Sequence, residues 1–366
     1  MGNFETARLV VRLGAVAANY RLCGELASPA SVAGVVKADA YGLGAVPVAR
    51  ALAQAGCDSF FVARLEEGIA LRSALTDARI FVLDGVQQEN APAFIAHNLI
   101  PVLNSLEQIA TWSAAARAQA RDLDCAIHVD TGMNRLGLAP ADVAAMAGET
   151  RRLARLSPVL IMSHLACADD PRSPMNRLQR DRFLDALAQL PQAPASLSST
   201  GGALLGKDYA FDMVRPGIGL YGGNPQSGRP NPFKAVAVLT GRILQLRRVD
   251  RGGSVGYGAT FPIERPSTLA TVGLGYADGL MRAIGNRGAG AIAGIRAPIA
   301  GRLSMDLVTL DVTDVPAASC TVGSDVEFLG DTISLEEFAS QAGTANYEIL
   351  TSLGHRMTRH YDETPR

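Results

Sequence analysis

The chain has few cysteines and almost no net charge, which argues against a disulfide-rich protein and against one that binds nucleic acid or anionic membranes. The sequence has 366 residues and five cysteines, no two of which form a CxxC pair. A small, odd and dispersed set of cysteines indicates reduced thiols in the cytoplasm and not a disulfide framework. The formal net charge is only -1, which gives no electrostatic reason to expect nucleic acid or an anionic membrane as a partner.

Long apolar runs are missing as well. The opening segment MGNFETARLVVRL lacks the uninterrupted apolar core of a secretory signal. Elsewhere, charges or glycines interrupt the apolar runs before they reach the roughly 20 residues that a membrane-spanning helix requires. Hydrophobic residues nevertheless make up 48% of the chain and charged residues 19%. This balance predicts a soluble enzyme with one large domain and a smaller one.

From residue 31 onward, short β-branched runs alternate with amphipathic stretches rich in alanine and leucine. The eight runs are SVAGVVKAD, SFFVARL, RIFVLDG, LIPVLNS, CAIHVDTG, PVLIMSHLA, ASLSST and FDMVRPGIGLYG. Eight strands alternating with helices predict an N-terminal (β/α)8 TIM-type barrel over residues 9–230. Because alternation alone does not show closure, an open doubly wound sheet stays open as an alternative at this point.

The character of the sequence changes at NPQSGRPNP, a Pro-, Gly- and Asn-rich segment typical of a domain boundary. Beyond it come strand-like runs such as AVAVLTGRILQLRRV and TLATVGLGY, with one helix-like piece, SLEEFASQAG. Residues 231–366 are therefore predicted to form a C-terminal domain of mostly β-strands. The N-terminal strand, residues 1–8, lies outside the barrel pattern and is predicted to join that domain.

Catalytic groups of a closed barrel lie where its strands end, on the face formed by the βα loops. The predicted strand ends carry arginines, two histidines, a lysine and hydroxyls, a set that suits an anionic ligand: Lys37, Arg64, Asp84, Asn104, His128, Arg135, His164, Ser199, Thr200 and Arg215. The set contains no HExxH motif, no CxxC motif and no tight carboxylate cluster, so we expect no metal site.

Lys37 is the most informative residue of this set because it ends the apolar strand VAGVV. Partial desolvation at such a place lowers the pKa of an ammonium group and makes the amine available for covalent catalysis. The alternative is a structural lysine whose stem packs while its head reaches solvent, and in isolation this interpretation is the better one.

The segment VVKADAYGLG resembles the pyridoxal-phosphate attachment signature of alanine racemases. Other motifs of that family follow in the same order through both predicted domains: HVDTGMNRLG, SHLA, VRPGIGLYG, SVGYGATF, GYADG, GRLSMD and ANYEILTSLGHRMTRHY. The resemblance implies a racemase that uses pyridoxal 5'-phosphate to interconvert L-alanine and D-alanine. It also implies a homodimer with two active sites, each completed by the partner subunit.

The reaction that the resemblance implies removes the Cα proton from one face and returns it from the other, so it needs two bases. Lys37 is the expected attachment residue and first base, and Tyr257 of the other subunit is the expected second base. Free lysine and tyrosine have pKa values of about 10, and both must be lowered for catalysis at neutral pH. Considered alone, Tyr257 would be a strand aromatic with its hydroxyl in solvent.

The remaining roles follow from the same resemblance. Arg215 is expected at the pyridine nitrogen. A guanidinium stays protonated, so it cannot give its proton to that nitrogen as a carboxylic acid could. The expected cofactor-binding residues are Lys37, Tyr41, His164, Ser199, Thr200, Arg215, Gly217, Ile218 and Tyr347. Arg135 is expected to bind the substrate carboxylate, and the backbone N–H of Met305 is expected to reach the same carboxylate from the other subunit. Tyr276 is expected at the entrance with Asp278 and Arg302.

Two positions depart from the family pattern. Many members have a carbamylated lysine before VDTG, and this chain has His128 there, so another group must hold Arg135. The usual Asn-Ser pair beside the phosphate is Ser199-Thr200, which still offers hydroxyls. These changes keep the reaction type and leave the substrate open between alanine and other amino acids such as serine or lysine.

Two alternatives of other classes use a similar barrel. A non-catalytic pyridoxal-phosphate carrier would lack the β domain that carries Tyr257, Tyr276 and Met305. A decarboxylase or aldolase would need different groups at the ring nitrogen or a metal site, and VRPGIGLYG argues against it. Supply of D-alanine for peptidoglycan and breakdown of L-alanine use the same chemistry, so both biological roles stay open.

Overall fold

The N-terminal strand belongs to the sheet of the C-terminal half. The computed structural model describes residues 5–148, 153–226 and 228–364. Strand β1 (Ala7–Arg12) precedes helix α1 (Leu13–Ala27), pairs antiparallel with β11 (Ala237–Val249) and pairs parallel with β19 (Thr358–Asp362). The strand therefore extends to Arg12, beyond the predicted end at residue 8, because buried and partly exposed residues continue to alternate there. The first four residues of the predicted strand lie outside the described part of the chain.

Eight parallel strand positions form the wall of a barrel, and the first of them is made of two short segments. They are β2 (Ser31–Val32) with β3 (Gly34–Val35), β4 (Ser59–Val62), β5 (Arg79–Val82), β6 (Ile100–Leu103), β7 (Leu123–His128), β8 (Leu156–Met162), β9 (Ala195–Ser196) and β10 (Met213–Val214). Strands β3 to β9 pair in sequence order, and β10 pairs with β2. The amides of Asp212 and Arg215 donate to the carbonyls of Ala195 and Ser198 at 3.0 and 2.8 Å, which joins β10 to β9. The barrel is closed, so the predicted barrel is confirmed and the open sheet is wrong.

The helices of the barrel follow its strands. They are α2 (Lys37–Tyr41), which is left-handed, α3 (Ala45–Gln54), α4 (Leu65–Ala74), α5 (Ala91–Ala96), α6 (Leu106–Ala118), α7 (Pro140–Gly148), α8 (Pro174–Leu187) and α9 (Thr200–Leu205). Local sequence explains several of their starts: Ser105 caps α6 through its hydroxyl, and prolines occupy the first turns of α5 and α8. In the described part of the chain, no helix combines the length and the apolar character needed to cross a membrane.

The C-terminal half consists mainly of strands, as predicted. In addition to β11 and β19 these are β12 (Ser254–Val255), β13 (Phe261–Pro262), β14 (Ser267–Val272), β15 (Ala289–Ile292), β16 (Ile295–Pro298), β17 (Val308–Asp311) and β18 (Asp325–Leu329). The 13-residue strand β11 organises the sheet. Its first half pairs with β1 and β18, and its second half pairs with β14.

The described part of the C-terminal half also contains two α-helices, where the sequence predicted one. The predicted helix is α10 (Leu335–Ala342), and the second is α11 (Asn346–Thr351). A six-residue helix is too short to show a clear hydrophobic period, and α11 is held by its buried Ile349 and Leu350. The Pro-, Gly- and Asn-rich segment before β11 contacts α10. Glu336 of this helix accepts a hydrogen bond from the backbone amide of Asn224 at 2.8 Å.

Candidate active site

The residues that follow the first barrel strand form a left-handed helical turn. The four residues after Lys37 have φ angles between 52° and 57°, a region that costs non-glycine residues roughly 1–2 kcal/mol each. Hydrogen bonds within the segment offset part of this cost: Gly42 N donates to Ala38 O at 2.8 Å, and Ala45 N donates to the Asp39 carboxylate at 2.7 Å. Strained turns of this kind are kept where the surrounding structure holds them, often at functional sites.

Lys37 lies at the edge of a cavity of about 640 Å³. Burial, and after it the positive charge of Arg135, lowers the pKa of the Lys37 ammonium, while Glu67 and Asp84 oppose the shift. Among the described residues, no side chain or backbone group forms a hydrogen bond with Lys37 Nζ. An amine that is partly desolvated and unbonded in this way is suited to attack a carbonyl group.

The cavity brings together all nine cofactor-binding residues that the sequence predicts. Its lining includes Lys37, Tyr41, Asp84, His128, Arg135, His164, Ser199, Thr200, Arg215, Gly217, Ile218 and Tyr347. One lysine and two arginines face a single carboxylate in this lining, so the cavity suits an anionic ligand. No group of three or more His, Cys, Asp or Glu side chains in the ranges that the structure describes is arranged to hold a metal ion.

Arg215 is buried beside this cavity and forms no ion pair with any described residue. Its Nη1 donates to Ser196 O at 2.9 Å and to the Ser196 hydroxyl, and its Nη2 donates to Ser163 O at 2.6 Å. Burial lowers the pKa of the guanidinium to about 9, so the group stays charged at neutral pH. A buried charge without a counter-ion is costly, which favours an electron-rich ligand in this cavity.

His128 is neutral, and a neighbouring amide fixes its tautomer. Asn104 Nδ2 donates to two backbone carbonyl oxygens at 3.0 Å, which leaves its Oδ1 facing His128 Nδ1 at 2.8 Å. Because an amide oxygen only accepts hydrogen bonds, His128 Nδ1 carries the proton. Burial, followed by the charges of Arg215 and Arg135, lowers the pKa of His128 to about 4. Its Nε2 is therefore a hydrogen-bond acceptor at neutral pH.

His164 experiences the same positive surroundings. Burial, and then the charges of Arg215 and Arg135, lowers its pKa to about 3, so this imidazole is also neutral at pH 7. Its backbone carbonyl accepts a hydrogen bond from Gln179 Nε2 at 3.0 Å, and Gln179 Oε1 accepts one from Ala166 N at 2.8 Å. The buried glutamine thus fixes the loop that presents His164.

Hydroxyls and backbone amides line the part of the cavity next to α9 and β10. Thr200 Oγ1 accepts hydrogen bonds from Gly217 N at 3.1 Å and from Gly219 N at 3.2 Å. A side chain at position 217 is excluded, because a Cβ there would lie 2.3 Å from the Tyr41 hydroxyl oxygen. Hydroxyls and backbone N–H groups are the donors that bind phosphate in many proteins, so this part of the cavity suits a phosphate group.

Tyr41 is fixed by two aromatic neighbours. Its ring centroid lies 4.7 Å from that of Tyr221 and 6.0 Å from that of Tyr347. Tyr221 donates its hydroxyl hydrogen to Val35 O at 2.7 Å, two residues before Lys37 in the chain. Tyr347 belongs to α11. The sequence therefore predicted this site residue but not the short helix that carries it.

Arg135 stands at the mouth of the cavity on a rigid loop. The Asp130 carboxylate accepts hydrogen bonds from Gly132 N at 2.8 Å and Met133 N at 2.9 Å, which fixes the loop after β7. The Arg135 side chain is exposed and forms no hydrogen bond within the described ranges. A guanidinium in this state is available for a forked pair with a carboxylate.

Three predicted residues of the β domain lie outside the cavity. Tyr257, Tyr276 and Met305 are 71%, 40% and 54% exposed. The backbone that carries Tyr257 is nevertheless fixed: Asn286 Nδ2 donates to Thr260 Oγ1 at 3.1 Å, and Asn286 Oδ1 accepts from Gly301 N at 2.7 Å. Within one chain, the Tyr257 side chain therefore extends into solvent from a loop that Asn286 holds in place.

Two other predicted positions have local structural roles. Arg64 is exposed at the start of α4 and does not line the cavity. Asp278, expected at the entrance, is buried; it accepts a hydrogen bond from Gly275 N at 2.9 Å and pairs with Arg356 at 3.3 Å. The sequence reasoning missed Ser163 and Ser196, which hold Arg215. Their positions at the ends of β8 and β9 were the available signal.

Known protein families and proteins match nearly the whole chain. The family model described as alanine racemase, N-terminal domain, matches residues 11–225, and the alanine racemase, C-terminal domain, matches residues 236–361. The chain is 50% identical to an alanine racemase from Rhodospirillum rubrum over 97% of its length and 96% of that protein. It is 46% identical to an alanine racemase from Rhizobium meliloti, with 97% of each chain covered.

The fold agrees equally well with a solved structure. The crystal structure of alanine racemase from Bartonella henselae with covalently bound pyridoxal phosphate superposes with a TM-score of 0.93 at 39% identity. The superposition covers 98% of this chain and 99% of that one. With both family models matched along nearly the whole length, this chain belongs to the alanine racemase family.

Proposed function

We propose that this protein interconverts L-alanine and D-alanine with pyridoxal phosphate attached to Lys37. The observation that carries the proposal is the convergence, in one cavity, of an unbonded lysine, a buried arginine without a counter-ion and a group of hydroxyls and amides. When bound, the cofactor supplies the electron sink that makes the Cα proton of an amino acid removable. The protein supplies binding, orientation and proton transfer.

The phosphate fits the hydroxyls and amides around Ser199, Thr200, Gly217 and Ile218, and Tyr41 and Tyr347 close this part of the cavity. Arg215 would then serve as the donor to the pyridine nitrogen, and it keeps its proton at neutral pH. A hydrogen bond from such a donor withdraws less electron density from the pyridine ring than protonation of the ring nitrogen would. The arrangement favours return of the proton to Cα over competing reactions.

Lys37 Nζ is the base on one face of the substrate, and its lowered pKa supports that role. The base on the other face is Tyr257 of a second protomer. Exposed apolar side chains support a dimer that covers the cavity mouth: Leu136, beside Arg135, is 46% exposed, and Leu307, beside the loop of Met305, is 37% exposed. Tyr276 and Met305 would enter the partner's site with Tyr257.

The dispersed cysteines support a cytoplasmic location for this dimer. A cytoplasmic enzyme with this activity would supply D-alanine for peptidoglycan precursors. Neutral His128 keeps one acceptor, Nε2, close to the charge of Arg135. We therefore expect the carboxylate site to work for alanine although the position holds no carbamylated lysine.

Chiral chromatography of the purified protein with pyridoxal phosphate tests the proposal. L-Alanine, L-serine and L-lysine are incubated separately, and the D-enantiomer is measured in each. Conversion of alanine far above that of the other two is the expected result. Preference for serine or lysine would move the substrate and keep the reaction, whereas no conversion of any amino acid would contradict the proposed function.

A further inference from the structure

Glu67 connects the lysine-bearing turn to the neighbouring barrel strand. Its Oε1 accepts a hydrogen bond from Ala38 N at 2.7 Å. Its Oε2 accepts from Ala63 N at 2.8 Å and from Arg64 N at 3.1 Å, at the end of β4. One carboxylate therefore satisfies three backbone amides that belong to two separate segments.

Capping of α4 accounts for only part of this arrangement. Glu67 is the third residue of α4, and its bond to Arg64 N is the backbone half of a capping box. Capping does not require a bond to Ala38, which is 29 residues earlier in the chain. That bond reaches the first residue of the left-handed turn, directly after Lys37.

The peptide that Glu67 contacts joins Lys37 to Ala38. Holding its N–H fixes the plane of this peptide, which limits rotation about the Lys37 Cα–C bond and sets the direction of the Lys37 side chain. At the far end of the turn, Arg359 Nε donates to Gly42 O at 2.9 Å. The strained segment is thus held from outside at both ends.

We propose that Glu67 is a positioning residue for Lys37: its carboxylate holds the left-handed turn against the end of β4, so that the lysine amine lies in the cavity. This inference rests on the proposed function, in which Lys37 is the attachment residue. Its test needs readouts that respond to the turn itself as well as to catalysis.

Glu67→Gln is the informative variant, because one amide oxygen cannot accept from both segments in the geometry of two carboxylate oxygens. Glu66→Gln is the matched control. Glu66 lies in the same helical turn and carries the same charge, but it is exposed and has no hydrogen bond or ion pair within the described ranges. Thermal unfolding of both variants checks that each is folded.

Hydrogen–deuterium exchange of the full-length protein, before and after loading with pyridoxal phosphate, measures the turn directly. Loss of a hydrogen bond to a charged group predicts exchange at the Ala38 amide about 10- to 100-fold faster in Glu67→Gln than in Glu66→Gln. Borohydride trapping and peptide mass spectrometry then give the rate at which the cofactor becomes attached to Lys37. We expect attachment at least about tenfold slower in Glu67→Gln.

Kinetics with the loaded enzyme should also show a defect in Glu67→Gln that is absent from Glu66→Gln. A misplaced lysine predicts that kcat falls about 10- to 100-fold while KM for alanine changes by less than about twofold. Glu67→Asp separates geometry from charge, since it keeps the charge but withdraws the oxygens by one methylene. It should be impaired like Glu67→Gln. A fully active Glu67→Asp would overturn a role in positioning.

The proposal is overturned if Glu67→Gln and Glu66→Gln have equal amide exchange and equal attachment rates. Its failure is distinguishable from failure of the proposed function. The chain has three lysines, at positions 37, 207 and 234, so trapped cofactor on Lys207 or Lys234 would contradict the attachment residue. Fast exchange at Ala38 in Glu67→Gln would still show what Glu67 holds.

Discussion

The barrel and the β domain present their site residues in opposite ways. Arg215 and His128 of the barrel are buried and hydrogen-bonded to their own chain. Tyr257 of the β domain is 71% exposed, although the loop below it is braced by Asn286. A braced loop that carries an exposed aromatic is typical of a surface prepared for a partner. The difference supports the proposed arrangement, in which the barrel binds the ligands and the β domain completes the site of another copy.

The largest expected effect is on the barrel side. Lys37→Ala should prevent covalent attachment of pyridoxal phosphate and lower racemisation by more than about 10⁴-fold, since it removes both the attachment point and one base. Visible absorbance of the loaded protein and the chiral assay measure the two consequences. Lys207→Ala, an exposed lysine outside the cavity, is the control. Normal activity of Lys37→Ala would contradict the assignment.

Tyr257→Phe sharpens the comparison from the other side. Loss of one of two bases should reduce racemisation by about 10²- to 10⁴-fold, while one enantiomer still exchanges its α-proton in deuterated water through Lys37. Proton NMR of L-alanine and of D-alanine follows that exchange. Tyr361→Phe, another partly exposed tyrosine, serves as control. Equal loss of exchange for both enantiomers would argue against two bases on opposite faces.

A medium effect is expected on the acid stability of the barrel. Folded His128 binds its proton only below about pH 4, whereas an unfolded histidine does so near pH 6.5. Between these values the unfolded state binds more protons, so stability falls as the pH drops from about 7 toward 4. The loss from this residue should be roughly 2 kcal/mol at pH 5.

His128→Gln removes this titration and keeps an amide that can donate to Asn104. Thermal unfolding at pH 7.5 and pH 5 should therefore show a smaller decrease for His128→Gln than for the unmodified protein. His164, whose pKa is lowered to about 3, contributes in the same direction in both proteins. An identical decrease in both would show that His128 is not buried in its neutral form.

The smallest expected effect concerns the brace under Tyr257. Asn286→Ala should lower stability by about 1 kcal/mol and reduce the Tyr257-dependent proton exchange by about three- to tenfold. Asn98→Ala is matched, because Asn98 and Asn286 both have positive φ, 47° and 59°. The control thus reproduces the backbone strain without the lost brace. Equal effects of the two variants on proton exchange would contradict a role of Asn286 in holding the Tyr257 loop.

Periodicity was sufficient to predict the barrel and the β domain, because strands and helices leave a local signal. The full set of nine lining residues was predicted from the resemblance to alanine racemases. Strand ends converge in a closed barrel wherever they occur in the chain. Lys37 and Arg215 could therefore be assigned to one cavity from separate segments. The same rule was too coarse for Arg64, which follows β4 but turns into solvent at the start of α4.

Features that depend on contacts between distant segments could not be predicted. The left-handed turn after Lys37 contradicts the local preference of its alanines and is kept by bonds such as that from Ala38 N to Glu67. Helix α11 depends on packing, and the roles of Ser163 and Ser196 depend on the path of Arg215. The exposure of Tyr257 likewise became visible only in the folded chain.

Complementation between two inactive variants tests the shared site most directly. Lys37→Ala and Tyr257→Phe proteins are mixed, dissociated and re-associated, and racemisation is measured before and after. If each site combines the barrel of one protomer with Tyr257 of the other, a mixed dimer has one intact site. Random pairing then predicts recovery to about a quarter of normal activity. Absence of any recovery, although mixed dimers are detected by mass spectrometry, would contradict the account.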